Sequence, residues 1–177
     1  KGIVRNVEQT DEDDLPEAST HIADVEAKDR DKFLKRLNSL DCLLLHLSEG
    51  TDESAREHFL ALQGPDGEWA VTKSLAGIHC VALHGADFGV MAKAGASMVW
   101  SPLSNLLLYG KTADLSLARD AGVLIALGPD WSPSGSKNLL GELKVAWLYN
   151  QLQLNGLFKT RELVAMANPG DRKSTRL

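Results

Sequence analysis

Val123-Leu-Ile-Ala-Leu-Gly-Pro-Asp130-Trp-Ser-Pro-Ser-Gly-Ser-Lys-Asn138 is the stretch on which the fold turns. Val123 to Leu127 is an unbroken apolar run, which predicts a strand buried on both faces. Gly128-Pro129 ends it, Asp130 follows, and a loop of Ser, Pro and Gly leads into a helical pattern. An acid just past the C-terminal end of a buried parallel strand is where barrel folds place reactive groups.

The same alternation repeats upstream. Residues 28–40 put Phe33, Leu34 and Leu37 on one side of a helix. Residues 41–50 hold a buried strand that ends in His46 and Glu49. Asp52 is placed to cap a helix over 53–62, with Phe59 and Leu60 as its apolar side. Residues 63–68 form a turn. A strand over 74–83 carries Ile78, His79, Cys80 and Val81, and a short helix follows at 86–95. The strand at 96–100 runs into Ser101-Pro-Leu-Ser104-Asn105, which has turn chemistry. The helix at 112–121 ends at Gly122 in the C′ position. Residues 137–152 are the longest helical pattern, with Leu140, Leu143, Ala146, Trp147 and Tyr149 as an apolar stripe. Thr160 caps a last helix to Ala167, which Asn168-Pro-Gly stops. At the start, Ile3 to Glu8 alternates like a strand, and Thr10 to Thr20 reads as a solvated loop.

About five strand–helix units without an internal linker predict one α/β domain over residues 1–170, then a polar tail over 171–177. The strands should be parallel, with right-handed crossover helices. Periodicity alone leaves two architectures open, an open doubly wound sheet and part of an eight-fold barrel.

Composition narrows the function classes. The chain has 177 residues, 44% hydrophobic and 24% charged, which suffices for one core. A net charge of -5 argues against nucleic acid or an anionic membrane as partner. No apolar run approaches the ~20 residues of a membrane span, and no apolar signal segment opens the chain. Cys42 and Cys80 lie in apolar runs without a C-x-x-C partner, so buried, reduced thiols and a cytoplasmic protein are expected. The chain begins at Lys1 rather than Met, which places the expected start inside a longer reading frame.

Four strand ends carry possible chemistry. A neutral imidazole at a strand end is a good metal ligand, and a carboxylate three residues on can move a proton. His46 and Glu49 fit that pattern, or a capping His with a surface Glu. His79, in so apolar a strand, reads first as a satisfied core residue and only second as a functional group. Asp130 is a reactive acid or the cap of the next helix. Ser104 and Asn105 orient substrate or hold their loop through side-chain-to-backbone bonds. His21, His58 and His84 read as loop or helix-surface residues. Ser132, Ser134 and Ser136 lack the G-x-S-x-G elbow, which excludes a serine hydrolase. No P-loop or G-x-G-x-x-G is present.

Taken together, the strand ends resemble the amidohydrolase superfamily, in the branch of cytosine, guanine and adenosine-type deaminases and triazine hydrolases. His46-Leu-Ser-Glu49 resembles the H-x-x-E at strand five, and Ile78-His79-Cys-Val81 the His-Cys-Val segment at strand six. Trp100-Ser-Pro-Leu-Ser-Asn105 resembles the segment at strand seven, and Leu127-Gly-Pro-Asp130 the L-G-T-D at strand eight. Asn168-Pro169 resembles the Asn-Pro-Ala after the barrel. The resemblance spans about Asp41 to Gly170 and implies part of a TIM-type barrel, about strands four to eight. It implies one divalent metal, zinc or iron, with His46 and Asp130 as ligands. Asp130 would also take a proton from an activated water. His79 would hydrogen-bond that water or polarise the substrate, and Glu49 would carry the proton to the leaving group. The reaction implied is hydrolysis of a C–N bond in a small cyclic substrate.

Three departures qualify the resemblance. The family's H-x-H pair of strand one occurs nowhere in the 177 residues. Pro129 stands for the usual Thr and removes a backbone donor. Trp131 stands for a small residue; it would stack on a planar substrate or narrow the pocket. A C-terminal half-barrel without the H-x-H ligands is expected to be impaired alone. Its open sheet edges and bare inner face predict self-association or pairing with an N-terminal half. The rival expectation is a non-catalytic assembly or binding module.

Overall fold

Five strands pair side by side in their order along the chain: β1 (Ala18–His21), β2 (Cys42–Leu47), β3 (Leu75–His79), β4 (Ser97–Trp100) and β5 (Leu124–Leu127). All four pairings are parallel. These facts come from a computed structural model that describes residues 18–21, 30–131 and 133–168. The expected strand at Ile3 to Glu8, Ser132, and the tail over 171–177 lie outside the described residues.

Sequential order settles the architecture that periodicity left open. A doubly wound sheet reverses its strand order at a switch point; among the described strands no reversal occurs. Right-handed crossovers that always step the same way put their helices on one face, as in a barrel wall. The helices are α1 (Arg30–Asn38), α2 (Glu53–Leu60), α3 (Gly85–Ala94), α4 (Pro102–Tyr109), α5 (Leu115–Ala121), α6 (Leu139–Leu152) and α7 (Thr160–Met166). None is long and apolar enough to cross a membrane.

The sheet's two faces differ. In β2, Leu43, Leu45 and Leu47 are fully buried, while Cys42, Leu44 and His46 are half-buried. β4 and β5 alternate likewise, with Met98, Trp100, Ile125 and Leu127 in the core. The core therefore lies between sheet and helices, with Phe33, Leu37, Phe59, Phe88, Met91 and Leu115 on the helix side. This corrects the strand over Val123 to Leu127 expected to be buried on both faces: Leu124 and Ala126 are only half-buried. Cys80 is buried as expected, Cys42 is not, and both remain thiols.

Capping explains most helix ends. Asp52 accepts a hydrogen bond from the Ala55 amide at 3.0 Å, and Asn138 one from Gly141 at 2.9 Å. Gly95 and Gly122 close α3 and α5 in the left-handed conformation. Several boundaries differ from expectation. Residues 18–20, read as loop, belong to β1, and so does His21. Thr160 is the first residue of α7, not its cap, which is Lys159. The segment at Ser101 to Asn105 is no turn; α4 starts at Pro102, whose fixed φ suits the first helical position. In α6 the expected apolar stripe is split. Leu140 and Trp147 face outward, while Glu142, Ala146 and Asn150 are buried.

Glu142 has a physical reason to be inside. Its Oε1 accepts from the Leu103 amide at 2.8 Å, in the first turn of α4, and its Oε2 from the Ser136 amide at 3.3 Å. A carboxylate at a helix N-terminus also meets the positive end of the helix dipole. Glu142→Leu strands both amides. Unfolding in urea should show a loss of about 1–3 kcal/mol, and Glu142→Gln, which keeps one acceptor, a smaller loss.

Candidate active site

The site forms where β2 and β3 end. β2 delivers His46 on its half-buried face, and Ser48 just beyond turns to φ 49°. β3 ends more sharply, with His79 at φ 70° and Cys80 at φ 53°. His79 pairs in register with Leu47, so strand alternation would place it opposite His46. The left-handed backbone breaks that alternation and brings the two rings to 5.3 Å between centroids, tilted by 42°. Cys80 folds back so that its thiol reaches the Gly77 carbonyl at 3.5 Å. A Cβ on Gly77 would lie 2.9 Å from that sulfur and from Leu47 Cδ2, which is why a glycine stands there.

His79 is wholly buried. Its Nδ1 lies 2.9 Å from Asn105 Nδ2. Its Nε2 lies 3.5 Å from Glu49 Oε2 and 3.8 Å from Asp130 Oδ2. Both distances exceed a hydrogen bond, and Nε2 has no partner among the described residues. Burial pushes the His79 pKa below its ordinary 6.5 and His46 adds to this; the carboxylates of Glu49 and Asp130 oppose it. His46, Glu49 and His79 each offer a ligand atom within 4.8 Å of the others'.

The two carboxylates are held separately. Asp130 Oδ2 accepts from the Ser104 hydroxyl at 2.5 Å and Oδ1 from the Trp131 amide at 2.8 Å. Burial raises the Asp130 pKa, but these two bonds and the imidazoles of His79 and His46 leave it below its ordinary value. Glu49 Oε1 accepts from the Tyr109 hydroxyl at 3.0 Å. Burial first, and then the Glu49 carboxylate, pushes Tyr109 up to about 12. Behind Asp130 the loop folds back, and a Cβ on Gly135 would lie 2.7–2.8 Å from the Asp130 backbone.

Six residues singled out from sequence therefore meet: His46, Glu49, His79, Ser104, Asn105 and Asp130. Ser104 and Asn105 touch Asp130 and His79 rather than their own loop. Trp131 is brought in only by its backbone amide, its indole being 71% exposed. His84 caps α3, and His58 is exposed on α2. Sequence reasoning missed Tyr109, Trp100 and Thr112. Trp100 carried a usable signal, since a buried indole N–H needs an acceptor.

No protein-family model matches the chain. It is 28% identical over 132 residues to the 5-methylthioadenosine/S-adenosylhomocysteine deaminase of Caldicellulosiruptor saccharolyticus, covering 71% of this chain and 31% of that protein. The enzyme of the same name from Halobacterium salinarum is 33% identical over 97 residues, 53% of this chain and 22% of that one. Atrazine chlorohydrolase from Arthrobacter aurescens TC1, solved with zinc, shares the fold at a TM-score of 0.66 and 23% identity. That match covers 83% of this chain and 35% of the hydrolase. The chain is thus similar, over part of their length, to deaminases and hydrolases of the amidohydrolase superfamily. It spans about a third or less of the length of these relatives.

Two outcomes follow for the site as folded. Gly135→Ala forces the loop off the Asp130 backbone, and its unfolding free energy should fall by about 1–3 kcal/mol, the range for overpacking. His79 is held neutral in the fold, so between 6.5 and its lowered value the unfolded chain binds the extra proton. Its contribution to stability is complete above 6.5 and is lost as pH falls through that window. Urea midpoints across the window should drop more steeply for the parent chain than for His79→Gln.

Proposed function

We propose that the chain forms part of a metal-dependent amidohydrolase, and that the complete enzyme hydrolyses a C–N bond of a small cyclic substrate, as in deamination. One observation carries this reading. His46, Glu49 and His79 converge within 4.8 Å, with Asp130 3.8 Å from His79. The buried Nε2 of His79, unpartnered among the described residues, marks a place where a polar ligand belongs. The names of the two curated relatives, both deaminases, support the reaction class.

The His46 imidazole and the Asp130 carboxylate are donors of the kind a divalent ion such as zinc or iron takes. His46 and Asp130 would hold it. With no H-x-H in these 177 residues, the remaining ligands would come from water or a second polypeptide segment. A bound divalent ion supplies one thing, a water whose pKa is lowered towards neutrality. Asp130, kept ionised by Ser104 and the Trp131 amide, is placed to accept a proton and would serve as general base there. Glu49 is anchored through Oε1 to Tyr109, which leaves Oε2 to carry a proton to the leaving group. His79 faces both carboxylates from a dry position and orients the oxygen or nitrogen at the attacked carbon. The exposed Trp131 indole offers a flat face to a planar ring.

Metal content per chain tests the reading, on protein purified without chelator or nickel affinity. About one equivalent of zinc or iron is expected, with most of it lost in His46→Ala and in Asp130→Ala. A folded chain that carries no metal, or one whose metal survives both substitutions, would sink the metal reading and favour a non-catalytic assembly module.

A further inference from the structure

A line of buried hydrogen bonds runs behind His79, away from the carboxylates. Trp100 Nε1 donates to Thr112 Oγ1 at 2.8 Å. Thr112 Oγ1 donates to Asn105 Oδ1 at 3.0 Å. Asn105 Nδ2 meets His79 Nδ1 at 2.9 Å. Trp100, Asn105 and His79 are fully buried and Thr112 nearly so. Water therefore does not compete for these bonds.

The direction of the line is fixed from its far end. An indole N–H donates and never accepts. Thr112 therefore uses its oxygen as acceptor towards Trp100 and has one hydrogen left to place. Among the described residues, Asn105 Oδ1 is the acceptor that hydrogen reaches. Rotating the Asn105 amide by half a turn would present an amino group to Thr112 and leave the hydroxyl hydrogen buried without an acceptor, at a cost typical of an unsatisfied group. With Oδ1 committed to Thr112, the end of Asn105 that faces His79 is the NH2. It donates, so Nδ1 accepts.

From this geometry we infer that Trp100 and Thr112 are positioning residues: through Asn105 they hold neutral His79 in the tautomer with its proton on Nε2. Nδ1 is occupied by Asn105, and Nε2 bears a hydrogen that points towards Glu49 Oε2 and Asp130 Oδ2. In that state neither ring nitrogen offers a lone pair to a metal. His79 is therefore a donor to the group bound between the carboxylates. Of the three residues within 4.8 Å of one another, His79 is thereby removed from the possible ligands. What His79 recognises must present a hydrogen-bond acceptor there, an oxygen or an unprotonated nitrogen.

The tautomer can be read directly, without activity and without metal. Nitrogen NMR of the chain with isotope-labelled histidine, at a pH where the imidazole is neutral, should show His79 with a pyridine-like Nδ1 and a pyrrole-like Nε2. Thr112→Val keeps the shape of the side chain but ends the line. It should move the tautomer ratio by about fivefold towards Nδ1–H, the size expected for one lost hydrogen bond. Thr112→Ser should restore the parent pattern, which mere packing at Thr112 would not predict. Asn105→Asp presents only acceptors and should invert the tautomer. A pyrrole-like Nδ1 in the parent chain would overturn the inference, whatever the variants do. So would a folded Thr112→Val with an unchanged ratio. If Thr112→Val does not fold, the parent spectrum and Asn105→Asp decide. Metal content bears on the proposed reaction and these spectra on the hydrogen-bond line, so either can fail alone.

Discussion

Two consecutive residues at the end of β3, His79 and Cys80, hold the left-handed backbone that L side chains avoid. Each such residue costs on the order of 1–3 kcal/mol. The surroundings offset that cost in specific ways. The Cys80 amide donates to the Leu47 carbonyl at 3.0 Å, and the Ala82 amide to the Ser48 carbonyl at 3.1 Å. The end of β3 is thereby tied to the end of β2, which itself turns at Ser48. Gly77 leaves room for the Cys80 thiol beneath the strand. The gain is positional: a histidine that belongs by parity to the helix-side core turns to meet His46. Relaxing these two residues to ordinary strand geometry would return His79 to the core and dissolve the cluster.

The strength of the site lies in an electrostatic balance around that one ring. Burial favours the neutral imidazole, while two carboxylates favour the charged one. Burial wins, in part because the carboxylates are engaged elsewhere. Asp130 spends both oxygens on Ser104 and the Trp131 amide, and Glu49 spends one on Tyr109. Neither comes within hydrogen-bond distance of Nε2. A site in which acid and imidazole had collapsed into an ion pair would leave no polar atom to offer a ligand. Here the anchoring partners keep the groups close but apart.

Much of this was legible in the sequence, and the failures have physical causes. Strand–helix alternation gave the parallel sheet, since apolar runs and helical stripes are local signals. The four strand ends offered His46, Glu49, His79, Ser104, Asn105 and Asp130 beside plain structural readings, and it was the ordered resemblance of the four motifs that joined them into one site. The face that His79 adopts was not legible, because parity points the other way and only the backbone reversal corrects it. Tyr109 lies 60 residues from Glu49, and Thr112 acts on His79 through Asn105. Such contacts exist only once the fold has brought α4 over the strand ends. Glu142 defeated the stripe of α6 for a similar reason: a buried carboxylate is meaningful only beside the amides it receives.

The helix taken for a turn is the element that holds the site together. α4 carries Ser104, Asn105 and Tyr109, which bind Asp130, His79 and Glu49 respectively. Asn105 and Tyr109 are four apart and so share one face, with Ser104 beside them. The start of α4 is fixed twice, by Glu142 on the Leu103 amide and by the Ser101 hydroxyl on the Gly128 carbonyl at 2.8 Å. A shift of α4 along its axis would therefore break its contacts to Asp130, His79 and Glu49 together. Substitutions at Ser104, Asn105 and Tyr109 should not be additive, because they act through one rigid body. The same rigidity explains why the site's geometry rests on residues as remote as Glu142. That side chain binds backbone amides, yet it fixes where α4 begins, and α4 holds Asp130, His79 and Glu49.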